Sequence, residues 1–220
     1  MAGPYELQSP KDIAMEYGGN KQKIAQAAQM ALEIAGAKQP AWRAFPQAGK
    51  IRIHLLQGDL QAATQAATND LFETIAIPYA RYTIFEHLAN VELAVSSGDH
   101  ELGLKLADDL YNEAAPLTRV DIPDVLRWKG IALLGLNRPD EALHVLTEAC
   151  SLAKKLGADP QLWLILSSLA DVNEKLGNHE GATENLEEAR KIVEGIAQSL
   201  HEIGLRDSFL EQPQVRKLMR

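Results

Sequence analysis

A turn that recurs at a nearly constant interval constrains this chain more than any other feature of its sequence. Four segments align: Leu55 to Ala63, Val95 to Gly103, Leu134 to Ala142 and Glu174 to Ala182. Each reads as a helix ending at Gly or Asn, a few polar residues, and a new helix that opens on a small side chain. The aligned small residues are Ala63, Gly103, Ala142 and Ala182, separated by 40, 39 and 40 residues. Such a period predicts a stack of helix–turn–helix units, none of which can bury its apolar surface alone.

The turn chemistry is consistent with that reading. Gly58, Gly98, Asn137 and Gly177 are residue types that can take the left-handed conformation in which helices end. Asp59, Asp99 and Asn178 follow as caps for the next helix, and Pro139 stands where a first helical turn tolerates proline. A small residue just beyond the cap lets two antiparallel helices approach closely. Composition agrees: Ala and Leu occur 31 times each among 220 residues, and aromatic residues are only 5%. Good helix formers dominate, so the chain is expected to be all-α rather than a β-sandwich or barrel.

The pattern predicts first helices over 46–57, 78–97, 122–136 and 160–176, and second helices over 59–70, 99–114, 138–156 and 178–200. Residues 205–220 are expected to form a C-terminal cap, broken at Pro213, over the apolar face that a last unit leaves open. Residues 1–39 do not fit the repeat and read as an N-terminal helical cap or extension, leaving 40–220 as the repeat domain. The fold expected is an α-solenoid of about four hairpins with capping helices at both ends.

The small residue, the Gly–Asp or Gly–Asn turn, and Ala followed four positions later by an apolar residue (Ala142 to Leu146, Ala182 to Leu186) resemble the tetratricopeptide repeat. Gly130, twelve residues before Ala142, stands where that repeat has its first-helix glycine. Two departures mark a variant: a period of about 40 instead of 34, and no tyrosine at its usual first-helix position. It is similar to the long-helix form in the C-terminal sensor regions of bacterial multidomain ATPase-type regulators and cyclase-associated proteins. Ile196–Leu200, Leu205–Leu210 and Pro213–Leu218 resemble the closing segment of those regions. Gly19 to Met30 resembles N-terminal segments of some tailed-phage virion proteins.

Catalytic signatures are missing from the sequence. Gly130 and Gly135 have phosphate-loop spacing, but Leu136-Asn137 follows where Lys and Ser or Thr belong. The histidines lie 13 or more residues apart, and one cysteine cannot build a structural zinc site, so neither a metal nor another cofactor is expected. Cys150 falls in an apolar helical pattern and reads as a buried small hydrophobe. A formal net charge of −8 disfavours nucleic acid or an anionic membrane surface as partner. No run approaches the roughly 18 apolar residues of a bilayer span. Met1–Pro10 lacks the charged and apolar regions of a secretory leader. A cytoplasmic, non-catalytic protein is the expectation.

What remains is surface. The resemblance implies that first helices line a concave face on which partners dock. Registering the first helices on the repeat sets out two inward columns: Arg52, Glu92, Ile131, Asp171, and Ala48, Leu88, Arg127, Ser167. The expected partner-binding residues are Arg52, Leu88, Glu92, Arg127, Ile131, Ser167 and Asp171. Mixed charge with apolar patches suits a peptide or a partner helix better than a polyanion. Arg127 is the central candidate, because a guanidinium can hold a carboxylate or backbone carbonyls at two points. The alternative function is a structural subunit of an assembly, such as a virion, that contacts copies of itself.

Overall fold

The computed structural model describes residues 40–67, 81–116, 118–201 and 203–220. The expected N-terminal cap over 1–39 therefore lies outside the described residues, as do 68–80. Among the described residues there are ten helices and no strand: α1 (Pro40–Gln57), α2 (Leu60–Ala67), α3 (Arg81–Ser96), α4 (His100–Ala114), α5 (Ile122–Gly135), α6 (Pro139–Leu156), α7 (Asp159–Lys175), α8 (His179–Ser199), α9 (Ile203–Leu210) and α10 (Pro213–Leu218).

The turns between α1 and α2, α3 and α4, α5 and α6, and α7 and α8 share one backbone pattern. Gly58, Gly98, Asn137 and Gly177 have φ of 74°, 83°, 58° and 79°. The next residue in each case donates its N–H back five positions, Asp59 to His54, Asp99 to Ala94, Arg138 to Leu133 and Asn178 to Asn173, at 2.8 to 3.0 Å. These bonds satisfy carbonyls that the ending helix would otherwise leave orphaned. At three turns a side chain then caps the next helix. Asp59 Oδ1 accepts from Ala62 N at 2.9 Å, Asp99 Oδ1 from Leu102 N at 3.1 Å, and Asn178 Oδ1 from Gly181 N at 3.1 Å. Arg138 provides no such cap; Pro139 opens α6, and Arg138 instead forms two 2.7 Å bonds with Glu141.

The aligned small residues lie where paired helices meet. Ala63, Ala142 and Ala182 are fully buried, and Gly103 is buried with them. A Cβ on Gly103 would come within 2.5 Å of Val95 Cγ2, and one on Gly130 within 2.5 Å of Leu146 Cγ. A side chain at either position would therefore require Val95 or Leu146 to shift, which marks α3–α4 and α5–α6 as close approaches.

Successive helices pack on one another, and α1, α3, α5 and α7 also pack side by side, α1 on α3, α3 on α5, α5 on α7. One apolar core runs from Ile84 in α3 to Leu218 in α10, and a smaller one joins Ala48 and Ile51 of α1, Ala63 and Ala66 of α2, and Ala89 and Leu93 of α3. Helix α3 faces both. At the far end, Val215 and Leu218 are buried against a core that includes Ala189 and Val193, and Arg190 Nε donates to the Leu218 carbonyl at 2.8 Å. The expected break at Pro213 separates α9 from α10.

Candidate functional site

The side-by-side packing of α1, α3 and α5 gathers four charged residues. Arg52 Nε donates to Glu92 Oε2 at 3.0 Å, joining α1 to α3 across the 40-residue interval. Arg127 comes from α5, one turn inside an N-terminus that Pro123 helps to start. Its Nε lies 3.7 Å from Asp124 Oδ1, an ion pair longer than a hydrogen bond. The guanidinium carbon sits 4.2 Å above the Trp128 ring, within cation–π range.

Arg127 is only 8% exposed. Burial pushes its guanidinium below the ordinary value; the carboxylates of Asp124 and Glu92 oppose that shift, and the Arg52 cation adds to it. Arg127 Nε and Trp128 Nε1 are both sealed from solvent with no hydrogen-bond partner among the described residues. Two neighbouring buried donors without acceptors are unusual, since buried polar groups are nearly always satisfied.

The remaining candidates divide between this face and the core. Ile131 is half-buried on α5. Ser167 is half-buried on α7, where its hydroxyl donates to the Trp163 carbonyl at 2.9 Å and so is already engaged. Asp171 is exposed, with Lys217 of α10 at 3.9 Å. Leu88 corrects the expectation: at 2% exposure it belongs to the main core, and its side chain offers a partner nothing. Ala48 and Arg127 of that column are buried too, whereas Ser167, Arg52, Glu92, Ile131 and Asp171 keep accessible surface. The column register treats each helix as free-standing, and it could not show how deeply the neighbouring first helix would cover it.

Asp124 and Trp128 complete the Arg127 environment, and their roles were only partly legible. The i,i+3 spacing of Asp124 and Arg127 is a visible signal for the ion pair. Adjacency of Arg127 and Trp128 gives no sign that the ring would lie under the guanidinium.

A separate surface recess is lined by residues of α6, by Leu169 and Asn173 of α7, and by Asn185 of α8. Cys150 lines it, but burial pushes the thiol above its ordinary value, so it is a poor nucleophile at neutral pH. Among the described residues, no cluster of His, Cys, Asp or Glu could hold a metal ion, and no helix is long and apolar enough to cross a membrane.

No protein-family model matches the chain, and no curated protein does. Among solved structures the chain is similar to the crystal structure of BtubC (BKLC) from P. vanneervenii, with a TM-score of 0.61 and 13% identity over 91% of this chain and 84% of that one. At that identity the likeness speaks for the helical fold alone.

Proposed function

We propose that this chain is a non-catalytic, cytoplasmic protein-interaction module: a tetratricopeptide-like α-solenoid of four hairpins whose first-helix face takes an extended peptide or a partner helix. The observation that carries this reading is the combination of one turn pattern, which closes each of the four hairpins and recurs between α6 and α7, and first helices that pack directly on one another. Repetition of a unit with a fixed turn lays equivalent first-helix positions in rows, and rows of half-exposed side chains suit a ligand that extends along them. Arg52, Glu92, Ile131, Ser167 and Asp171 supply the accessible part of that face, with Arg127 beneath.

Selection of short random peptides on the immobilised protein tests the reading. Enriched peptides are expected to lose affinity at least about tenfold when Ile131 is changed to Glu or Asp171 to Arg, and to keep it when exposed Glu184 on α8 is changed to Lys. Failure to enrich any peptide, or binding that responds to Glu184 and ignores Ile131 and Asp171, overturns it. Sedimentation of the purified chain at rising concentration covers the alternative function: rings or larger closed assemblies are the expected state of a structural subunit.

A further inference from the structure

We infer that the recess shared by α6, α7 and α8 is a second docking site, which takes an uncharged peptide unit of an extended partner segment together with an apolar side chain. It does not rest on the first-helix face. Leu169 and Asn173 line the recess, and each stands two residues from Asp171, on the opposite side of α7.

A relay of hydrogen bonds fixes the polarity of one wall. The Gly181 backbone N–H donates to Asn178 Oδ1 at 3.1 Å. The other end of that amide, Asn178 Nδ2, donates to Asn173 Oδ1 at 3.0 Å. Asn173 is left presenting Nδ2, which has no partner among the described residues and is not sealed from solvent. The residue itself is only 6% exposed, so this free donor belongs to a nearly buried side chain and opens on the recess. The turn does not require an amide there. The same position in the other hairpins holds His54, Ala94 and Leu133, and each accepts the same backbone bond.

Thr147 of α6 is fixed in the opposite sense. Its hydroxyl donates to the Leu143 carbonyl at 2.7 Å, so towards the recess its oxygen can only accept. Beside Asn173, the most buried lining residues are Leu169 and Cys150, surfaces that give a water molecule little to hold. A committed donor and a committed acceptor over an apolar bed match a peptide unit. Its C=O answers Asn173, its N–H answers Thr147, and its side chain covers Leu143 and Leu169. A carboxylate would bring no N–H for Thr147, and an ammonium no acceptor for Asn173. At the rim Lys154 is held by Glu188 at 2.7 Å, and Lys155 is exposed to water, so neither charge asks for a counter-ion inside.

The probe is the capped dipeptide acetyl-Leu-Leu-N-methylamide, titrated into the full chain while the Asn173 side-chain N–H resonances are followed. They are expected to move saturably below about 10 mM. Asn173→Asp keeps the acceptor for Asn178 and reverses the free end, and is expected to weaken binding at least about tenfold. Thr147→Val is expected to weaken it about threefold or more, and Ile131→Glu on the first-helix face to leave it unchanged. Absence of saturation overturns the inference, as does affinity that ignores Asn173→Asp. Loss of binding in Ile131→Glu overturns it too, because the probe then sits on the first-helix face. Should Asn173→Asp not fold, the exposed Thr147→Val decides the matter: unchanged affinity there overturns the inference.

Discussion

Helices α5 and α6 form one hairpin, yet they are buried in different ways. In α6 the buried residues are Ala142, Val145, Leu146, Ala149, Cys150 and Ala153, a single stripe with helical spacing, and the helix packs on α5 and α7. In α5 almost every residue from Ile122 to Leu133 is buried, Arg127 included, because the helix is enclosed by α3, α4, α6 and α7. The pair α7 and α8 repeats the contrast. Leu162, Trp163, Ile165, Leu166, Ser168 and Leu169 are among the buried residues of α7, while α8 buries only Ala182, Ala189, Val193 and Ala197. In both of these hairpins the first helix is the more buried and the second the more exposed. Most polar residues of α6 and α8 are solvated, whereas α5 and α7 also hold buried polar residues, Arg127, Ser168 and Asn173.

Mutations at three depths break or sharpen this contrast. The largest effect is expected in a first helix. Leu166→Ala, at a position 1% exposed in α7, removes a side chain enclosed on all sides and is expected to cost about 2–5 kcal/mol in urea unfolding. A loss comparable to that of an exposed substitution would mean that the first helices can close up around the gap. Next come the contacts between paired helices. Ala182→Leu inserts bulk at a fully buried contact between α7 and α8 and is expected to cost about 1–3 kcal/mol. A stable variant with unchanged melting would separate the small residue from the helix spacing. The smallest effect lies at a helix end: Asp99→Ala removes the cap on α4 and is expected to cost about 1 kcal/mol, with Asp99→Ser recovering most of it.

First and second helices were unequally legible in the sequence. Second-helix burial follows from the spacing of Ala142, Leu146, Ala149 and Ala153, since an amphipathic stripe declares which face turns inward. Helix ends were equally readable, because Gly58, Gly98, Asn137 and Gly177 each sit at the left-handed position for which their residue types are suited. In α5 and α7 the apolar residues run nearly all round, and α3 is only weakly one-sided, and such a pattern does not tell a groove from a core. Hence Leu88 and Ile131 look alike in sequence, although one is sealed and the other half-exposed.

Short-range physics accounts for what the sequence alone determined: helical content, the turns, their caps, and the small residues at 63, 103, 142 and 182. Each depends on a few neighbouring residues and the backbone conformations open to them. The repeat register set Arg52 beside Glu92, but the tertiary structure alone decided that the two pair at 3.0 Å, that the Arg127 guanidinium is buried over its own neighbour Trp128, and that Leu88 is sealed in the core. Those outcomes depend on how far one first helix covers the next. That coverage comes from the packing of α1 on α3, α3 on α5 and α5 on α7, contacts between residues far apart in sequence, and it leaves no local trace at the positions it buries.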